Sequence, residues 1–141
     1  MKISARNQLQ GVISSVTDGA VNGVVTIDLG ADKIKADITM AAIEELGLAE
    51  GKKAFAIIKA SNVMFAASDK RVDCISARNQ LVGTICAVEK GAVNGHVSLE
   101  IGDHVIKGSI TNAAIDDLGL KEGDTAVAIV KASDVMVGIE E

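Results

Sequence analysis

The sequence predicts an all-β protein with one short helix in each of two tandem repeats. Three observations carry that reading. The chain is similar to itself at a fixed offset of 72 residues, most of each copy alternates β-branched with polar residues, and the apolar period changes after a threonine in the middle of each copy. Ser-Ala-Arg-Asn-Gln-Leu occupies 4–9 and returns at 76–81; Ala-Val-Asn-Gly occupies 20–23 and returns at 92–95. The register then holds without a gap, Thr39 falling on Thr111, Leu46 and Gly47 on Leu118 and Gly119, and Met64 on Met136. More than half of the aligned positions are identical, which predicts a domain over 1–69, a charged linker over 70–73 and a second domain over 74–141.

Each element of the first copy has a local cause. Residues 3–16 place Leu9, Val12 and Ile13 in a β-rich run that breaks at Thr17, Asp18 and Gly19, which predicts a long first strand. Residues 24–29 and 33–38 alternate cleanly on either side of Gly30, Ala31 and Asp32, the signature of a hairpin. After Thr39 the apolar spacing becomes helical, with Thr39 as N-cap and Gly47 as the C-terminal stop of about two turns. Residues 52–65 read as a buried strand, a bend over 59–62 and a short last strand in which Met64 belongs to the core, as Met136 does in the second copy. Asn22 and Asn94 read as turn residues ahead of the conformationally free Gly23 and Gly95. Five strands and one helix are the content of a small Greek-key barrel of the oligonucleotide/oligosaccharide-binding type, so the chain is expected to be two such five-stranded barrels in tandem.

Composition narrows the function. With 48% hydrophobic residues the chain is globular, and no apolar run reaches the roughly 18 residues of a membrane span. The first ten residues lack the apolar core of about 7 to 15 residues that marks a secretion signal, and two cysteines, Cys74 and Cys86, make no disulfide framework. A cytoplasmic location and no membrane partner are the expectation. A net charge of -5 and an aromatic content of 1% exclude single-stranded nucleic acid, whose binders need stacking platforms and a basic groove. The copies differ in charge, residues 1–72 carrying +1 and residues 73–141 carrying -6, so their surfaces have diverged while the identical blocks have not. Domains of about 70 residues bury only about 60% of their unfolded surface, which favours packing against other copies.

Three identical blocks hold the candidate chemistry. Ser4, Ala5 and Arg6, with Ser76, Ala77 and Arg78, set two of the chain's three arginines in an uncharged polar cluster. Thr39 and Thr111 each open a helix whose free N–H groups and dipole suit an anion, and each is equally well a plain cap. Lys59, Ala60 and Ser61, with Lys131, Ala132 and Ser133, interrupt an apolar strand with a charge followed by small residues that leave the backbone approachable. These identical polar positions include no carboxylate. A fully deprotonated tetrahedral dianion offers only acceptors, so a set made of donors favours molybdate, tungstate or sulfate over hydrogen phosphate, whose proton an Asp would recognise. Five or six convergent charge-assisted hydrogen bonds at roughly 1.5 to 3 kcal/mol each offset the desolvation of such an ion.

Catalytic patterns fail. The run from Gly47 to Lys53 has one residue too few for a phosphate-binding loop and Lys53 where Ser or Thr is needed. His96 and His104 have no counterpart in the first copy, so a shared metal site is not expected, and neither a Ser–His–Asp order nor a Cys–His pair is present. The expectation is a binding protein with no enzyme activity, no cofactor and no directly ligated metal cation.

At the Ser-Ala-Arg-Asn-Gln-Leu block, the Thr39 helix and the late Lys-Ala-Ser-Asn-Val-Met and Lys-Ala-Ser-Asp-Val-Met blocks, the sequence resembles the molbindin family, small cytoplasmic molybdate-binding proteins built from the Mop (TOBE-type) domain. The resemblance covers both copies end to end. It implies a barrel per copy, a homotrimer of two-copy chains and molybdate sites at interfaces between domains of different subunits. It also implies storage or homeostasis of molybdate, and a further class of site on the threefold axis. Carried over by position, Ser4, Ala5 and Arg6 would supply one side of a site, and Thr39, Lys59, Ala60 and Ser61 of a neighbouring domain the other. The second set is Ser76, Ala77 and Arg78 with Thr111, Lys131, Ala132 and Ser133. Some relatives have a serine three residues after the threonine, where this chain has Ala42 and Ala114, so that contact should be missing. The competing readings are a structural or partner-binding barrel with no ligand site, and a binder that prefers sulfate or tungstate.

Overall fold

A computed structural model describes residues 1–140. The first copy runs β1 (Asn7–Thr17), β2 (Asn22–Asp28), β3 (Lys33–Thr39), α1 (Met40–Leu46), β4 (Lys53–Ile58) and β5 (Met64–Ala66), with a 3-10 turn at Ala60–Asn62 between the last two strands. The second runs β6 (Asn79–Lys90), β7 (Asn94–Ile101), β8 (His104–Thr111), α2 (Asn112–Leu118), β9 (Thr125–Val130) and β10 (Met136–Gly138), with its 3-10 turn at Ala132–Asp134. The all-β class with one short helix per copy and two five-stranded sheets is as expected.

The sheets do not follow the repeat boundary. Strand order is β10-β4-β1-β2-β3 in one sheet and β5-β9-β6-β7-β8 in the other, so the copies exchange their last strands. Met136 pairs with Ile57 and Met64 with Ile129, both antiparallel. Each exchanged strand also approaches the far edge of its host sheet, β10 lying near β3 and β5 near β8, which curls the sheets toward closure. Curvature has a second source. β1 carries a bulge between Ile13 and Ser15 and β6 the equivalent one between Ile85 and Ala87, each raising local twist.

One apolar cluster serves both halves. Ile13, Ile27, Ile34 and Ile58 join Leu81, Ile85, Leu99 and Ile106, all at most 1% exposed. Burying each such side chain is worth about 1.5–3 kcal/mol, and a core shared in this way removes the handicap of two small separate ones.

The first strand is shorter than its pattern implies. Asn7 pairs with Ile58, the last residue of β4, and the chain then turns at Lys59, so nothing remains for Ile3 to Arg6 to pair with. The caps stand where the spacing puts them: the Thr39 hydroxyl accepts the Ala42 N–H at 3.1 Å, and Gly47 ends α1 at φ 61°. Gly23 and Gly95 need a different explanation from free dihedrals. Both sit inside strands and neither has a positive φ; they are glycine because a Cβ at Gly23 would lie 2.7 Å from Ile43 Cδ1, and one at Gly95 2.7 Å from Ile115 Cδ1. Met64 and Met136 are not core. Each is 47% exposed, because alternation along the short exchanged strand turns Phe65 inward and the methionine out.

Candidate functional site

The antiparallel pairing of β1 with β4 decides which blocks meet. With Asn7 opposite Ile58, residues 4–6 and 59–61 continue from the same end of the pair. The pairing of Asn79 with Val130 repeats the geometry for residues 76–78 and 131–133. Two pockets result. Ile3, Ser4, Ala5, Arg6, Lys59, Ala60 and Ser61 line one of about 540 Å³, and Ile75, Ser76, Ala77, Arg78, Lys131, Ala132 and Ser133 line one of about 410 Å³. The two linings match position by position at the offset of 72.

The local backbone suits an anion. Ala60 begins a 3-10 turn whose first internal bond runs from the Asn62 N–H to the Lys59 carbonyl at 3.0 Å, so the N–H groups of Ala60 and Ser61 have no acceptor inside the turn. In the second copy the Asp134 N–H donates to the Lys131 carbonyl at 2.9 Å and leaves Ala132 and Ser133 in the same position. Arg6, Lys59, Arg78 and Lys131 are all exposed, able to swing onto a bound ion.

Each pocket is completed by the opposite copy. Met136 and His96 wall the first, Met64 and Asp37 the second. Sequence reading missed all four. Met64 and Met136 arrive because the last strands are exchanged, Asp37 because β3 packs against the 3-10 turn at Ala132–Asp134, and His96 because β7 lies beside β8, which packs against the turn at Ala60–Asn62. The signal available in the sequence was only that His96 and Asp37 differ from their counterparts Val24 and Ser109. The donor-only character inferred from the identical blocks therefore holds for the lining of the first pocket and not for the second, where the Asp37 carboxylate enters. Arg6 and His96 also border a smaller cavity of about 210 Å³ with Glu89, Ser98 and Lys107.

Thr39 and Thr111 stand apart. Neither lines either pocket, and each hydroxyl is engaged as a cap, Thr111 accepting the Ala114 N–H at 3.1 Å. Residues 4–6 and 59–61 line the same pocket within one chain. A cavity of about 540 Å³ beside α1 is rimmed by Asp18, Glu44 and Glu50, a wall that repels anions. Among the described residues no cluster of three or more His, Cys, Asp or Glu side chains is placed to hold a metal ion, and no helix is long and apolar enough to cross a membrane.

Comparison with known proteins bears on this geometry. The TOBE domain matches the chain twice, over residues 3–65 and 75–137. A molybdenum transport protein ModE of Herbaspirillum seropedicae is 44% identical over 143 residues, which cover 100% of this chain and 53% of that protein. The molybdenum-pterin-binding protein MopA of Rhodobacter capsulatus is 40% identical over 141 residues, covering 99% of this chain and 53% of its own length. The chain thus spans about half the length of these curated relatives. A solved structure of the cytoplasmic molybdate-binding protein ModG, with molybdate bound, superposes with a TM-score of 0.92 at 42% identity, covering 99% of this chain and 100% of that one.

Proposed function

From the premise that this chain belongs to the TOBE-domain family and carries two copies of the domain in tandem, we propose that it binds molybdate and serves in its storage or homeostasis, without catalysis. The observation that carries this reading is that both copies bring the same serine, arginine, lysine and small-residue segments to one pocket, at equivalent positions. An arginine, a lysine, two serine hydroxyls and the N–H groups opening the 3-10 turn are donors of the kind a tetrahedral dianion accepts. The ModG structure, alike along its full length and holding molybdate, supports the choice of ion; tungstate, with the same charge and shape, is expected to compete. In this reading the protein is a cytoplasmic homotrimer that engages neither membrane nor nucleic acid. Thr39 and Thr111 then enter a site only across a subunit boundary.

The test is equilibrium dialysis of the purified protein against molybdate, with sulfate and phosphate as competitors, beside a solution mass. Saturable uptake of more than one ion per chain, resistant to phosphate, is expected. Arg6→Ala should remove the ion of the first pocket and leave that of the second, with mass unchanged. An unaltered stoichiometry would sink the assignment.

A further inference from the structure

The two pockets share eight lining positions, Met136 matching Met64, and differ at one residue that the opposite copy supplies. That residue belongs to a pair facing each other across two strands. Beside the first pocket His96 of β7 pairs with Ser109 of β8; beside the second Val24 of β2 pairs with Asp37 of β3. These are the same positions at the offset of 72, and in each pair only the longer polar side chain reaches the lining. One pocket receives an imidazole and the other a carboxylate.

We infer that the two pockets of one chain are unequal for a tetrahedral dianion, the His96 pocket holding it more tightly than the Asp37 pocket. This rests on the proposed oxyanion-binding function and concerns residues outside the blocks that the copies share. A carboxylate about 6 Å from a dianion in water repels it by roughly 1.4 kcal/mol, a tenfold loss of affinity. The Asp37 carboxylate is held in place by the Asn22 amide, which donates to its Oδ1 at 3.1 Å. It shares the pocket with Arg78 and Lys131, whose charges it partly neutralises before any ligand arrives.

Around His96 no carboxylate lines the pocket itself, Glu89 bordering only the small adjoining cavity. An imidazole donates a hydrogen bond to an oxyanion. The groups facing it are Glu89, its partner across β6; Ser109, its partner across β8; Arg6, Ser98 and Lys107 in the small cavity; and Lys59 in the pocket. At the second pocket Val24 occupies the equivalent place and supplies no such group.

The experiment is isothermal titration of the full chain with sodium molybdate, on the wild type and on four variants. Arg6→Ala and Arg78→Ala assign each class of site to its pocket. His96→Val and Asp37→Ser install the residue that the other copy already carries at that position, so neither asks the fold for a new side chain. The expected result is two classes of site in the wild type, the tighter lost in Arg6→Ala and the weaker in Arg78→Ala. Asp37→Ser should tighten the weaker class roughly tenfold, and His96→Val should weaken the tighter class. One class of site indifferent to both exchanges, or a tight class lost in Arg78→Ala, overturns the inference while leaving molybdate binding intact. Absence of any molybdate heat from folded wild-type protein overturns both.

Discussion

Asn7 brackets the backbone of Lys107, its Nδ2 donating to the Lys107 carbonyl at 2.8 Å and its Oδ1 accepting the Lys107 N–H at 2.7 Å. Asn79 does the same to Lys35, with both bonds at 2.8 Å. The two asparagines are 1% and 2% exposed, and each joins the first strand of one copy to the third strand of the other. They stand directly after Arg6 and Arg78, so they also anchor the segments that line the pockets.

Replacing Asn7 with Ala leaves the part-buried N–H and carbonyl of Lys107 without these partners. At about 1–3 kcal/mol for each orphaned group, the expected loss is on the order of 2–4 kcal/mol. Urea unfolding of the variant against wild type measures it. Asn79→Ala should cost a similar amount, because the geometry is the same; a loss under about 0.5 kcal/mol in both would show the bracket to be dispensable.

A size exchange between copies makes the second prediction. A Cβ at Gly108 would lie 2.3 Å from Cε2 of Phe65, whereas the equivalent positions hold Ala36 and Val137. Gly108→Ala should cost about 1–3 kcal/mol by overpacking. Phe65→Val in the same chain restores the pairing found in the other half, so the double variant should be more stable than Gly108→Ala alone, a coupling that a double-mutant cycle reads directly.

The exchanged strands predict the behaviour of half a chain. Residues 1–69 on their own lack β10 to cover β4, and their β5 has no β9 to join. An open β4 edge and an unpaired strand favour a dimer in which each fragment donates its last strand to the other. Light scattering after size-exclusion chromatography should find that dimer; a stable monomer would contradict it.

Thr39 separates a cap from a ligand. Thr39→Ala should destabilise the protein by about 1 kcal/mol through loss of the bond from Ala42, and Thr39→Asn should recover most of it, since Asn caps as well. If Thr39 also reaches an ion across a subunit boundary, the Asn variant regains stability and still binds less molybdate in dialysis. Equal binding in both variants confines Thr39 to capping.

Much of this was legible in the residue order. The hairpin over 24–38, the Thr39 cap and the Gly47 stop follow from interactions within a few residues, and local rules find them. The 72-residue offset marked the segments that form the pockets, because identity kept by two otherwise diverging copies picks out positions under shared constraint. Two of the five residues of the Ser-Ala-Arg-Asn-Gln run proved to be architecture. Asn79 brackets Lys35, and Gln80 accepts the Val72 N–H at 2.6 Å and returns a bond to its carbonyl at 2.9 Å. No pattern in the sequence distinguishes such a bracket from a ligand contact, since both call for a polar side chain next to an arginine.

The sequence by itself determined the elements, their duplication and the set of donors, all of which depend on residues close together in the chain. Tertiary structure alone decided that the last strands change places, that Met64 and Met136 face the pockets, and that His96 lines one pocket while Asp37 lines the other. These are contacts across the junction between two sheets. They are set by how the pleated faces pack, and the hydrophobic alternation that builds a strand carries no record of which strand lies beside it.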